Sequence, residues 1–176
     1  MNTTISTIED HTTNRGPAAK ALLALLIALV AFSALAPRAD AATATRSAKP
    51  ACATVCLNPA QTAALAALNA DRVANGLKRL TPQAQIQGKA QAWAQRLAQA
   101  GALSHSVLTD NVPACWRALG ENVGYGPTVA TIENAYMHSP HHRANILNAS
   151  FTQAGVGVAT SPQGQTYTVQ VLLGGC

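Results

Sequence analysis

Residues 154–174 read AGVGVATSPQGQTYTVQVLLG. The first part, Ala154 to Ala159, is a strand laced with glycine. Ser161-Pro162-Gln163-Gly164 supplies turn chemistry. Thr166, Thr168 and Gln170 then alternate with Tyr167, Val169 and Val171. This period of two predicts a half-buried strand, and the two strands together predict a terminal hairpin.

Upstream of the hairpin the period is helical. Asn58 is a capping residue and Pro59 suits a first helical position; Leu65, Leu68 and Arg72 follow at helical spacing, and Asn75-Gly76 supplies a stop. A second helix is predicted with Thr81 as cap and Pro82 as its first residue. Its apolar stripe is Ile86, Ala90, Trp93, Ala94 and Leu97, its polar face is mostly glutamine, and Gly101 ends it. Residues 102–126 read as a loop, with a third helix from Pro127 or Thr128 that Ser139-Pro140 breaks. His141, His142, Arg143 and Asn145 fall on the short turn that follows. Helices first and a hairpin last predict an α+β domain with helices against an antiparallel sheet.

Ala21 to Ala36, ALLALLIALVAFSALA, is a continuous uncharged apolar run preceded by Lys20. It is shorter than the ~20 residues of a spanning helix. Small residues at Ala39 and Ala41 predict cleavage of a signal peptide, residues 1–41, after Ala41, with an uncleaved anchor as the alternative. Either outcome places the domain outside the cytoplasm, secreted or periplasmic, with no stable membrane span after cleavage. Residues 42–55 are small and polar and read as a linker to a domain over 56–176.

All four cysteines, Cys52, Cys56, Cys115 and Cys176, lie beyond the apolar run. An even number in an exported chain predicts two disulfides with three connectivities open. Nine Lys/Arg against four Asp/Glu remain after Ala41, scattered rather than striped, which argues against nucleic-acid binding.

So few ionisable groups narrow the search for a site. His105 follows a helix stop, Glu121 sits between Gly120 and Asn122, and His142 sits beyond a broken helix. Two imidazoles and a carboxylate suit a divalent ion such as zinc with an open position, or acid–base work with Glu121 as candidate base. The same three side chains also serve as purely structural hydrogen-bond partners elsewhere.

Several segments in order resemble the bacterial branch of the CAP superfamily, the cysteine-rich secretory, antigen 5 and pathogenesis-related proteins with an SCP domain. They are LNADRVANGLKRL (68–80), AQAWAQRLAQAGALSHS (90–106), GENVGYG (120–126), AYMHSPHHRANILN (135–148) and the closing strands FTQAGVGVA and YTVQVLLG. The resemblance implies an α-β-α sandwich with a central antiparallel sheet flanked by helices and a cleft lined by two His and two Glu. Carried over, these are His105, Glu121 and His142, the last because it directly precedes Arg143. The second glutamate falls near Ser139 and has no match; Glu133 is nearby. Asn122, Ser139, Tyr136 (in place of the usual Trp), Arg143 and Asn145 are implied to shape the cleft. The resemblance further implies a monomeric extracellular binding module for a lipid or sterol, a cell-wall component or a protein, with a divalent cation and no organic cofactor. A metal-dependent hydrolase acting on peptide or cell-wall substrate is the alternative.

Overall fold

The first helix begins where its cap chemistry says it must. Asn58 Oδ1 accepts from Gln61 N at 2.9 Å while Gln61 Oε1 accepts from Asn58 N at 2.9 Å, a reciprocal capping box. Helix α1 runs Pro59–Ala74. The computed structural model describes residues 55–176 and, by backbone alone, residues 3–6. The remaining elements are β1 (Thr3–Ser6), β2 (Thr81–Pro82), α2 (Ala84–Ala100), β3 (Ala118–Gly126), α3 (Val129–His138), α4 (Pro140–Ile146), β4 (Gln153–Thr160) and β5 (Thr166–Gly174). The expected signal peptide and linker otherwise lie outside the described residues, as does Cys52.

The sheet order is β1-β3-β5-β4-β2. Strands β3, β5 and β4 are antiparallel, and the short edge strands β1 and β2 join in parallel, so the expected antiparallel sheet is the centre of a mixed one. Helix α2 covers one face: Ile86, Ala90, Ala94 and Leu97 pack on Leu119, Val123, Val169, Val171 and Leu173. On the other face Leu68, Ile132, Tyr136, Ile146 and Phe151 pack on Val156 and Leu172. The result is the α-β-α sandwich, with one long helix below and α1, α3 and α4 above.

Four sequence readings need correction. Thr81 and Pro82 do not open α2. Thr81 N donates to Thr152 O at 3.1 Å and Gln83 N to Ala154 O at 3.2 Å, so the segment is an edge strand, where proline's missing N–H costs nothing. Gln83 caps α2 instead, its side chain accepting from Ile86 N at 2.9 Å. The segment 118–126, expected as a loop, is a strand paired over its whole length with β5. The residues after Ser139 are helical rather than a turn. Finally, β5 is buried on both faces because it is the central strand, so Thr168 and Gln170 point into the α3–α4 layer rather than to water.

Helix α2 lies unusually close to β4, and sequence explains it. A Cβ at Gly155 would strike the Ile86 carbonyl, and one at Gly157 the Ala90 carbonyl. Contact at this range brings two glutamines of α2 onto the outer edge of β4. Gln87 exchanges bonds with Val156 N and O at 2.9 and 2.7 Å, and Gln91 does so with Val158 N and O at 3.0 and 3.1 Å. The expected polar face of α2 therefore satisfies a strand edge that would otherwise template association.

Arg72 ties α1 to the segment before β4. Its buried guanidinium donates to the carbonyls of Lys78, Ile146, Asn148 and Phe151 at 2.6–3.2 Å. A disulfide joins Cys115 to Cys176 and pins the segment after β5 beside the start of β3. Cys56 is disulfide-bonded as well. Among the described residues no helix is long and apolar enough to cross a membrane.

Candidate functional site

Successive side chains of a strand leave opposite faces of its sheet. On β3 this rule parts Glu121 from Asn122, and with them the two halves of the expected site.

Glu121 leaves on the α2 face and is fully buried. One carboxylate oxygen accepts from Ser106 N at 2.9 Å and sits 2.7 Å from His105 Nδ1; the other accepts from Ser106 Oγ at 2.6 Å. Every partner of this carboxylate is a donor, so Nδ1 carries a proton; in the neutral form of the ring Nε2 is then an acceptor. Nε2 is buried and has no hydrogen-bond partner. The His105 side chain is 9% exposed and lines a cavity of about 330 Å³ between α2 and the loop after it. Lys89, Trp93, Arg96 and Asp110 share the lining. The ammonium of Lys89 donates to the Val107 and Asp110 carbonyls, both at 2.7 Å. Burial holds its pKa below the ordinary lysine range, opposed by the nearby charges of Glu121 and Asp110.

Asn122 leaves on the other face. Its amide donates to Gln170 Oε1 at 2.9 Å and to the His142 carbonyl at 3.2 Å, and its oxygen accepts from Asn145 Nδ2 at 2.9 Å. Gln170 passes the chain on to Glu133 Oε2 at 2.6 Å. Burial pushes the Glu133 carboxyl up to about 8, and the neighbouring Asp71 charge adds to the rise. Burial raises Asp71 too. The His142 ring is buried in this layer, 4.8 Å from the Tyr136 ring. Tyr136 itself is fixed by Thr168, whose hydroxyl lies 2.8 Å from its own.

The structure thus joins His105 to Glu121 and sets His142 among the residues of α3 and α4. Among the described residues no three His, Cys, Asp or Glu side chains form a group that could hold a metal ion. Both Glu121 oxygens already meet donors, and His105 lines the α2 cavity with its Nε2 buried. Of the implied cleft-shaping residues, Asn122 and Asn145 hold the buried network, Ser139 is buried at the start of α4, and Tyr136 is core. Arg143 is exposed and donates to Asn75 Oδ1 at 3.2 Å. Ser106, Lys89 and Gln170 do not stand out from sequence as site residues; Ser106 carries the one available signal, a hydroxyl directly after the loop histidine.

The sequence profile of the Cysteine-rich secretory protein family, CAP, matches residues 65–172. The chain belongs to this family. It is 32% identical over 113 residues to the uncharacterized protein YkwD of Bacillus subtilis, a match covering 59% of this chain and 43% of YkwD, so the chain spans less than half of that relative. Among solved structures, an outer surface protein of Borrelia burgdorferi superposes with a TM-score of 0.60 at 13% identity, covering 69% of this chain and 97% of that one. The venom allergen-like protein 4 of Schistosoma mansoni gives 0.58 at 13% identity, with 68% and 91% coverage. An extracellular SCP-domain protein of Bacillus anthracis gives 0.55 at 20% identity, with 69% and 45% coverage. At these identities the solved structures establish the CAP fold, and bacterial CAP proteins outside the cell are among its members.

Proposed function

We propose that this CAP protein is an exported binding module whose ligand-contacting group is His105 Nε2, presented by Glu121 to the cavity beside α2. One observation carries the reading: a cavity-lining histidine, oriented through Nδ1 by a carboxylate, keeps its other nitrogen buried and without a hydrogen-bond partner. Buried polar atoms are nearly always satisfied, by protein, water or ligand, and His105 differs from the other residues that carry such an atom, Glu133, Asn145 and Gln153 among them, in lining the cavity beside α2. Export rests on the apolar run and on the small residues before Ala42. Cleavage after Ala41 removes β1 but no residue of the site, which lies on α2, its following loop and β3.

The test is a ligand-observed NMR screen of small polar compounds against wild type and His105→Ala. Hits are expected to lose about tenfold or more in affinity on His105→Ala, the worth of one good bond to a buried acceptor. Hits that bind both proteins equally would overturn the reading. N-terminal sequencing of the protein recovered from the culture medium is expected to begin at Ala42.

The Glu121–His105 pair also supports a hydrolytic reading, because a carboxylate-oriented imidazole is the arrangement of a general base. In it His105, not Glu121, activates water. Turnover of casein or peptidoglycan by wild type, abolished in His105→Ala, would favour hydrolysis over binding.

A further inference from the structure

The cavity beside α2 offers more than one acceptor, and its chemistry is complementary to a particular pair of ligand groups. Nε2 of His105 accepts, so the ligand atom that meets it must donate. Nearby, Arg96 stands over the Trp93 ring, its guanidinium carbon 5.1 Å from the ring centroid. The indole is itself anchored by Nε1 donating to the Ser104 carbonyl at 2.8 Å. The stacking holds the guanidinium against a ring that lines the same cavity. Among the described residues it has no carboxylate partner, so its donors remain available to a ligand acceptor. Lys89 uses two of its three N–H groups on carbonyls and adds positive charge at the cavity wall. Asp110 lines the same cavity and disfavours a second negative charge on the ligand.

We propose that this cavity binds a small monoanion carrying a hydroxyl group beside a carboxylate, as in a hydroxy acid or an acidic sugar. The hydroxyl donates to His105 Nε2 and the carboxylate accepts from Arg96. The cavity volume of about 330 Å³ suits a ligand of that size. The inference rests on His105 being the contact group and adds the class of molecule it contacts.

The test uses two pairs of probes, glucuronate with glucose and lactate with propionate. Affinities are read from the His105 ring-nitrogen resonance of the full mature protein. In wild type, glucuronate is expected to bind about tenfold more tightly than glucose, the worth of one charge-assisted contact. Lactate is expected to bind more tightly than propionate. Arg96→Gln, at an exposed position, is expected to bring the glucuronate-to-glucose ratio close to one while leaving the lactate preference over propionate. His105→Ala is expected to abolish that preference. Tighter binding of glucuronate than lactate assigns the acidic sugar, and the reverse the hydroxy acid. Equal binding of glucuronate and glucose by wild type, or a preference that survives Arg96→Gln, overturns this inference and leaves the His105 reading standing. If none of the four probes moves the resonance up to its solubility limit, this inference falls, and the screen against His105→Ala decides the broader reading separately.

Discussion

The two faces of β3 use polar residues in opposite ways. On the α2 face, Glu121 holds His105 so that one nitrogen is left over. On the other face, Asn122, Asn145, Gln170 and Glu133 bond to one another in a buried chain. The first arrangement leaves a ring nitrogen beside a cavity; the second links side chain to side chain, with Glu133 Oε1 and Asn145 Oδ1 left over, and holds a proton on a carboxyl. Adjacent residues of one strand thus divide the labour between recognition and structure, because the pleat sends them to different layers.

The largest expected effect breaks the closed face with pH. Glu133 is raised in the fold, so its protonated form is the one the fold favours. Its contribution is fully present below the ordinary glutamate range, about 4.5, and is lost as pH rises toward about 8. A tenfold change in proton affinity is worth about 1.4 kcal/mol, which sets a ceiling of roughly 4–5 kcal/mol on the loss across that window. Asp71 is raised as well and acts in the same direction. Glu133→Gln keeps a polar group of the same shape and removes its titration, so urea midpoints of the variant are expected to fall less between pH 5 and pH 8 than those of wild type. A wild type that falls no more than the variant would show that Glu133 stays ionised.

Next in size is Asn122→Ala. It strips bonding partners from Gln170, Asn145 and the His142 carbonyl at once. An unsatisfied buried polar group costs about 1–3 kcal/mol, and shared relaxation of the network sets the expected loss near 3 kcal/mol. Thermal unfolding measures it, and a loss under 1 kcal/mol would mean that the network is hydrated rather than closed.

The same division explains what sequence made legible. Helix α1, the terminal hairpin and the third helix announced themselves through Asn58, the Ser161–Gly164 turn and Thr128, whose effects are local. His105 stood out because it follows a glycine helix stop. Strand β3 did not, since Gly120, Glu121, Asn122 and Gly124 interrupt any alternation of apolar residues; β3 is a strand because β5 pairs with it along its length. Gln170 read as solvent-facing for a similar reason. Alternation locates the two faces of a strand, but a buried polar network makes one of those faces look wet. The order of motifs supplied the family, while the parity of neighbouring residues, which sends Glu121 and Asn122 to different layers, shows only once β3 is known to be a strand.

Glu121→Gln sharpens the open face. The amide oxygen keeps the place that accepts from Ser106 N and meets His105 Nδ1, while the NH₂ group takes the other place, against the Ser106 hydroxyl, which can accept. The Nδ1–H tautomer is kept, but the bond that orients the ring loses the carboxylate's charge and weakens. The expected stability cost is about 1–2 kcal/mol, smaller than that of Asn122→Ala because one side-chain pair rather than a chain is altered. Ring-nitrogen chemical shifts are expected to report the Nδ1–H tautomer in both proteins, with a larger share of the Nε2–H form in the variant. A wild type in the Nε2–H form would mean that Glu121 does not orient the ring.

The smallest expected effect belongs to Arg143, which the family resemblance placed among the residues shaping the cleft. Its side chain is instead exposed, and it bonds to Asn75 at 3.2 Å, on the surface next to the end of α1. An exposed contact of this kind is worth little, so Arg143→Ala is expected to shift stability by less than about 0.5 kcal/mol. It is also expected to leave the His105 nitrogen shifts unchanged, because β3 and the whole polar network lie between the two residues. A clear change in those shifts would show that the two faces of β3 communicate through α4, and the division between an open and a closed side would no longer hold.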